Sequence, residues 1–254
     1  MPISKDYKIE LKTDNNSILL FIEDKKRLLK RVKPAWFTPE FWRQSDAVIG
    51  QSQGRHITWF IQPPSDISGL PWVLRHYYRG GLVSKITHDQ FVFTGLINTR
   101  PYRELGLLNW MVETNLPVPK PIAARIDRKG FFYRADLLME KIDGKDLVAH
   151  LTRKELSELQ WSKIGELIAK FHLAGIYHAD LNAHNILLNG TDNLWLIDFD
   201  RCERRVIKEV WKMQNIERLK RSFLKEKEQL SIFYFDENCW RYLLNGYQAK
   251  MEKP

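Results

Sequence analysis

The chain has 254 residues, with 40 Lys and Arg against 31 Asp and Glu, a formal charge of +9 and a sequence pI of about 9.4. That length suits one large domain or two lobes and can bury a core without covalent staples. The 44% hydrophobic and 28% charged content excludes disordered and collagen-like chains. Two cysteines, Cys202 and Cys239, are too few for a disulfide framework or a thiolate zinc site and point to a reducing compartment, the cytoplasm. The start, Met1-Pro2-Ile3-Ser4-Lys5-Asp6, lacks a signal-peptide pattern, and no apolar run approaches the roughly 18 residues that span a bilayer. A chain neither secreted nor membrane-spanning is expected. Its basic balance suggests an anionic partner, whether nucleic acid, nucleotide phosphate or an acidic membrane face, with plain solubility as the alternative.

In chain order, Ile18 to Ile22 reads as a short buried strand, and six of the nine residues from Lys25 to Lys33 are basic. Trp36, Phe37, Phe41 and Trp42 follow, with Pro34 and Pro39 preventing one continuous helix. Trp36, Phe37 and Trp42 suit a membrane interface or, more simply, the core. From Gly50 the signal turns to strands: His56 to Gln62 and Trp72 to Tyr78 form a hairpin across Pro63-Pro64-Ser65-Asp66. A helix runs from about Arg103 to Glu113, ended by Pro117-Val118-Pro119, and strands resume at Ala123 to Ile126 and Tyr133 to Glu140. The break at Ile142-Asp143-Gly144 divides an extension (1–49) and an N-terminal lobe (50–141) from a C-terminal lobe (142–254). Beyond it, Ile164, Leu167, Ile168 and Phe171 recur at the spacing of a buried helix face, and Gly175 suits its C-terminal cap. Ile186 to Leu188 and Leu194 to Ile197 make a hairpin about Asn189-Gly190. The remainder reads as helical and basic, with ten Lys and Arg against four Glu over 201–227. Its stripe of Val206, Val210, Met213, Ile216, Leu219 and Phe223 is expected to serve the core rather than a membrane.

The chemistry concentrates in His178-Ala179-Asp180-Leu181-Asn182-Ala183-His184-Asn185 and in Ile197-Asp198-Phe199-Asp200. Phosphoryl transfer needs a carboxylate to accept the acceptor hydroxyl's proton and oxygen ligands to hold Mg²⁺ against nucleotide phosphates. Asp180 can be the base, and Asn185 and Asp198 the metal ligands. The pattern H-x-D-x-x-x-x-N followed by D-F-G is met with one change, Asp200 for the last glycine. A solvated loop with a capping Asp and Asn is the plain alternative, disfavoured because every part stands in the order the mechanism requires. His178 and His184 are too far apart for one helix face and have no cysteine nearby, so zinc is not expected. In the first lobe Gly50 to Arg55 can supply a turn over the phosphates, with Gly54 and Arg55 as candidates. Arg75 stands where kinases carry the lysine of V-A-I-K. A shifted register would offer Arg79 instead. Glu104 is the candidate partner of that cation, a solvated helix charge being the alternative, and Glu140, at the end of the last strand, completes the nucleotide-side candidates.

The segments Trp72 to Gly81, His178 to Leu187 and Ile197 to Asp200 closely resemble the bacterial 3-deoxy-D-manno-octulosonic acid (Kdo) kinases, a family grouped with the lipopolysaccharide-core heptose kinases. Leu-Arg-His-Tyr-x-Arg-Gly-Gly is the most specific part, and the likeness runs from about Gly50 to Leu224. It implies an α+β, bilobal protein-kinase-like fold: an antiparallel β-sheet lobe with one key helix, then a mainly helical lobe. It also implies transfer of the ATP γ-phosphate to the 4-hydroxyl of Kdo on a lipid A precursor, at the cytoplasmic face of the bacterial inner membrane. ATP and Mg²⁺ are then the cofactors, with Asp180 matching the base and Asn185 and Asp198 the metal ligands. Neither nucleic acid nor an obligate protein partner is expected. No A-P-E segment follows, so activation-loop control is not expected. The competing readings are a small atypical protein kinase and a basic, non-catalytic binding module.

Overall fold

The computed structural model describes residues 9–14, 17–22, 31–53, 57–79, 88–190 and 192–253. Gly54, Arg55 and most of the basic run from Lys25 lie outside them, as do Gly80 and Gly81. The chain divides into two compact units: one takes in the described residues up to Trp110 with Pro119–Lys141, the other Met111–Val118 with Ile142 onward.

The first unit is an antiparallel sheet in the order β1 (Ile9–Asp14), β2 (Ser17–Ile22), β7 (Pro121–Lys129), β8 (Phe132–Glu140), β5 (Trp72–His76), β4 (Ile57–Ile61), β3 (Val48–Gln53). A short β6 (Phe91–Val92) also pairs with β8. Part of the segment before Gly50 joins this sheet, β2 pairing with β7 from Ser17↔Asp127 to Phe21↔Ala123. Central β8 buries Ala135, Leu137 and Leu138 completely. Its Asp136, 3% exposed, is held by Arg125 Nη2 at 2.8 Å and His76 Nδ1 at 2.6 Å, as a buried carboxylate requires.

The two prolines act as expected, opening separate short elements: a 3-10 turn at Pro34–Phe37 and helix α1 at Pro39–Arg43, each with proline in its first turn, where no N–H is needed. They deliver Trp36, Phe37 and Trp42 into the core, 4%, 2% and 2% exposed. Trp36 and Trp42 gather with Trp72 at centroid distances of 5.5 to 6.0 Å, and Trp42 Nε1 donates to the Trp36 carbonyl. These rings are therefore not a membrane belt. Helix α2 (Arg100–Glu113) carries Glu104.

In the second unit, β9 (Lys145–Asp146) and α3 (Leu147–Leu151) precede α4 (Glu158–Leu173). A capping box between Ser157 and Gln160 starts α4. Gly175, at φ +73°, ends it, and a side chain there would sit 2.7 Å from the Arg205 carbonyl. Strands β10 (Ile176–Tyr177) and β13 (Glu203–Arg204) flank the His178 to Asp200 segment, and β11 (Ile186–Leu188) and β12 (Leu194–Leu196) lie within it. Helices α5 (Glu209–Gln229) and α6 (Glu237–Glu252) close the chain. Helices α4 and α6 meet backbone to backbone: a Cβ on Gly165 would lie 1.9 Å from the Leu243 carbonyl, and one on Gly246 2.1 Å from that of Ser162. The expected stripe of α5 splits. Ile216, Leu219 and Phe223 are core, whereas Val206, Ile207, Val210 and Met213 are exposed, because the helix begins only at Glu209 and its first turn buries Trp211 and Lys212 instead.

Candidate active site

Strand β5 alternates Trp72 and Leu74 inward and leaves Arg75 at the edge of burial. Arg75 Nη2 meets Glu104 Oε2 at 2.5 Å. Glu104 is only 2% exposed, so the solvated-charge reading does not hold. Tyr77, which sequence reasoning passed over, donates its hydroxyl to the same oxygen at 2.7 Å and lies under the Arg75 guanidinium at 4.9 Å. Burial and the Glu104 charge hold the Tyr77 phenol well above its ordinary pKa, so it remains a donor. Of the two arginines, Arg75 is the one that pairs with Glu104. Arg79 lies beyond the end of β5, its N–H donates to the His88 carbonyl, and its guanidinium stands over Phe91. Glu140 ends β8, 3.9 Å from Lys120 Nζ, and is not part of the Arg75–Glu104–Tyr77 cluster.

The second unit holds the remaining candidates. His178, 2% exposed, accepts the Asp180 N–H at Nδ1, 3.2 Å, and donates from Nε2 to the Ile197 carbonyl, 3.0 Å. A carbonyl only accepts and an amide only donates, so the ring is a neutral Nε2–H tautomer. Burial lowers its pKa and keeps it so. Asn182 caps the 3-10 turn Ala183–Asn185 by accepting from the N–H groups of His184 and Asn185. Asn185, 8% exposed, turns its Nδ2 to the Asp180 carbonyl at 2.9 Å, and its own carbonyl accepts the Ile197 N–H at 2.9 Å. Ile197 is thus gripped on both sides, by Asn185 and His178. Asp198 follows at φ +63°, a left-handed backbone that costs about 1 kcal/mol or more and recurs at functional sites. Phe199 anchors the turn, 1% exposed, against Phe171 and His178. The structure therefore brings Asp180, Asn185 and Asp198 onto one hydrogen-bonded frame.

A row on α5 completes that frame. Asn215 exchanges two hydrogen bonds with the His178 backbone, at 3.2 and 3.0 Å. Arg218 Nη1 lies 3.1 Å from Asp180 Oδ1. Ser222 Oγ accepts the Ala183 N–H at 3.0 Å, and Glu226 meets His184 Nε2 at 3.3 Å. The spacing 215, 218, 222, 226 is one helical face. Helix α5 therefore reads the loop from His178 to His184 in order. No motif in the sequence announced these contacts, since each partner lies about 40 residues from the loop.

The donor set also bears on a metal. With Nδ2 committed to Asp180, Asn185 has its oxygen to offer, and Asp198 adds carboxylate oxygens; such hard donors suit Mg²⁺, which takes few protein ligands and completes its shell with water and phosphate. Among the described residues no group of three or more His, Cys, Asp or Glu forms a metal cluster.

A strand cation paired to a helix carboxylate, together with an Asp-bearing loop and an Asp-Phe turn, fits a phosphotransferase of the protein-kinase-like class. The profile of the lipopolysaccharide kinase (Kdo/WaaP) family matches residues 39–247. The chain is 45% identical over 239 residues to a 3-deoxy-D-manno-octulosonic acid kinase of Actinobacillus succinogenes, covering 92% of this chain and 97% of that one. It is 47% identical to that of Mannheimia succiniciproducens, over 84% and 90% of the two chains, and 46% identical to that of Haemophilus influenzae, over 84% and 89%. Among solved structures, an amicoumacin kinase in complex with AMP-PNP and Ca²⁺ superposes at a TM-score of 0.58 with 12% identity, covering 89% of this chain and 78% of that one, a likeness of fold. The chain belongs to the lipopolysaccharide kinase (Kdo/WaaP) family.

Proposed function

We propose that the chain transfers the γ-phosphate of ATP to the 4-hydroxyl of Kdo carried on a lipid A precursor. Family membership supports the acceptor, and the observation that carries the catalytic assignment is the double grip on Ile197, which ties Asn185 and Asp198 to the loop that presents Asp180. Asp180 orients the acceptor hydroxyl and receives its proton as the bond to phosphorus forms. His178 fixes the Asp180 backbone and takes no proton itself, being buried and neutral. Arg75, clamped by Glu104 and Tyr77, is assigned to the nucleotide phosphates, where a pre-oriented guanidinium binds without further ordering. Asn185 and Asp198 would hold Mg²⁺, which supplies charge neutralisation at the phosphates. Gly54, Arg55 and Glu140 remain candidates on the nucleotide side.

Residence on the cytoplasmic side of the inner membrane is part of the same proposal. Among the described residues no helix is long and apolar enough to cross a membrane. The exposed Val206, Ile207, Val210 and Met213, beside Arg205 and Lys208, offer a small apolar and basic surface suited to anionic lipid.

The test is radiolabelled ATP and Mg²⁺ with purified Kdo-bearing lipid A precursor, wild type against Asp180→Ala. Label should appear on the sugar, and the substitution should reduce turnover by about 10²- to 10⁴-fold while nucleotide still binds. Near-normal turnover by Asp180→Ala would refute the base assignment; ATP consumption without labelled sugar would refute the acceptor.

A further inference from the structure

In this loop the residues between Asp180 and Asn185 are Leu181, Asn182, Ala183 and His184, with no lysine or arginine among them. The cation beside Asp180 comes instead from α5. Arg218 donates from Nη1 to Asp180 Oδ1 at 3.1 Å, and among the described residues this is its ion-pair partner. Both side chains stand about half exposed, 46% and 52%. An exposed pair of this kind adds little stability. Arg218 is nonetheless well placed, since Asn215 and Ser222 on either side of it are hydrogen-bonded to the loop backbone. A guanidinium carries five N–H donors in a planar fork, and one contact leaves a directed set of donors beside the base.

We propose that Arg218 is the acceptor-specificity residue, binding the carboxylate of the sugar acid while Asp180 engages the hydroxyl that is phosphorylated. The inference rests on the Kdo reading above and deepens it. The acceptor is an acid: its carboxyl carbon is attached to C2, and the reacting hydroxyl to C4 of the same ring. A hydroxyl placed on one oxygen of Asp180 therefore brings the carboxylate near a cation hydrogen-bonded to the other oxygen. Arginine suits the task because its fork matches a carboxylate bidentately. A neutral sugar lacking that group would leave the donors of the guanidinium not engaged by Asp180 unmatched, so the device discriminates as well as binds. Arg218 also orients Asp180, and the two roles separate experimentally.

The experiment compares the Kdo-bearing lipid acceptor with its Kdo carboxylate free and with that carboxyl group converted to the methyl ester, measuring kcat/KM for wild type, Arg218→Lys and Arg218→Gln. Wild type should prefer the acid by about 10- to 100-fold, the range of a charge-assisted contact. Arg218→Gln should lose that preference by losing rate on the acid, and Arg218→Lys should retain part of it. A Gln variant that slows both acceptors equally and keeps the acid-to-ester ratio would make Arg218 only an orienting group and overturn the proposal. Equal rates for acid and ester in wild type would overturn it with no variant needed, while leaving the Kdo reading intact. Failure of wild type to phosphorylate either acceptor would remove both.

Discussion

The contact between α4 and α6 supports a prediction whose sign is diagnostic. Gly165 and Gly246 both lie inside helices, where Gly→Ala ordinarily stabilises by about 1 kcal/mol. Here the added Cβ at 165 would lie 1.9 Å from the Leu243 carbonyl, against an ordinary contact of 3.4 Å, so the helices must part by about 1.5 Å. A gap of even 0.5–1 Å forfeits about a quarter to a half of the dispersion well of the lining atoms. Overpacking of this kind costs about 1–3 kcal/mol, and the bond between His172 Nδ1 and Tyr247 Oη, 2.9 Å long, would add about 1 kcal/mol if lost. Net of propensity, Gly165→Ala should destabilise by about 2 kcal/mol, lowering Tm by roughly 4–8 °C for a chain of this size. Gly246→Ala should behave alike, since its Cβ would lie 2.1 Å from the Ser162 carbonyl. Gly190→Ala, with nothing within 4 Å, is the control. Differential scanning fluorimetry of the three variants suffices, and a rise in Tm for Gly165→Ala would refute the helix crossing.

Three further outcomes are expected. Glu104→Ala leaves Arg75 and Tyr77 without their shared partner; it should cost about 3 kcal/mol in denaturant unfolding and weaken binding of an ATP analogue, and unchanged nucleotide affinity would remove Arg75 from the phosphate site. Burial disfavours a charged His76, but the hydrogen bonds and charges of Asp136 and then Asp89 outweigh it and raise its pKa above 6.5. The imidazolium's stabilisation is then fully present below pH 6.5 and lost as pH climbs through the folded-state pKa, so the Tm advantage of wild type over His76→Gln should shrink from pH 6 to pH 8.5; a constant advantage would contradict the pairing. Val210→Asp and Met213→Asp place charges on exposed apolar positions and should reduce co-sedimentation with anionic vesicles without altering Tm, whereas unchanged sedimentation would mean that this surface does not meet lipid.

Much of the candidate loop was legible because its pattern is local: Asp180, Asn185, Asp198 and their spacing are written within the 23 residues from His178 to Asp200. The hairpin at 186–196 and the cap at Gly175 were legible for the same reason, being turn chemistry. What escaped is tertiary. Nothing local distinguishes Arg218 from the other cations of a basic helix, or Tyr77 from its neighbour Tyr78, until the fold sets one on Asp180 and the other on Glu104. Hydrophobic periodicity alone likewise could not divide the α5 stripe into buried Ile216, Leu219 and Phe223 and exposed Val210 and Met213, because that depends on which turn finds a partner. The glycines of α4 and α6 carry no local signal, and only the crossing gives them a purpose.

The row Asn215, Arg218, Ser222 and Glu226 has a consequence for the order in which the molecule matures. A ribosome delivers the loop at 178–185 well before the helix that shapes it, and chain growth is slow beside the formation of a helix. A nascent chain ending near Asp200 would carry every residue of the proposed base and metal set yet lack the bonds that fix the His178 backbone, the Ala183 N–H and the Asp180 carboxylate. Competence therefore arrives late in synthesis, when the stretch around 215–226 clears the exit tunnel. Premature termination upstream of it should yield products that retain the signature and do no chemistry.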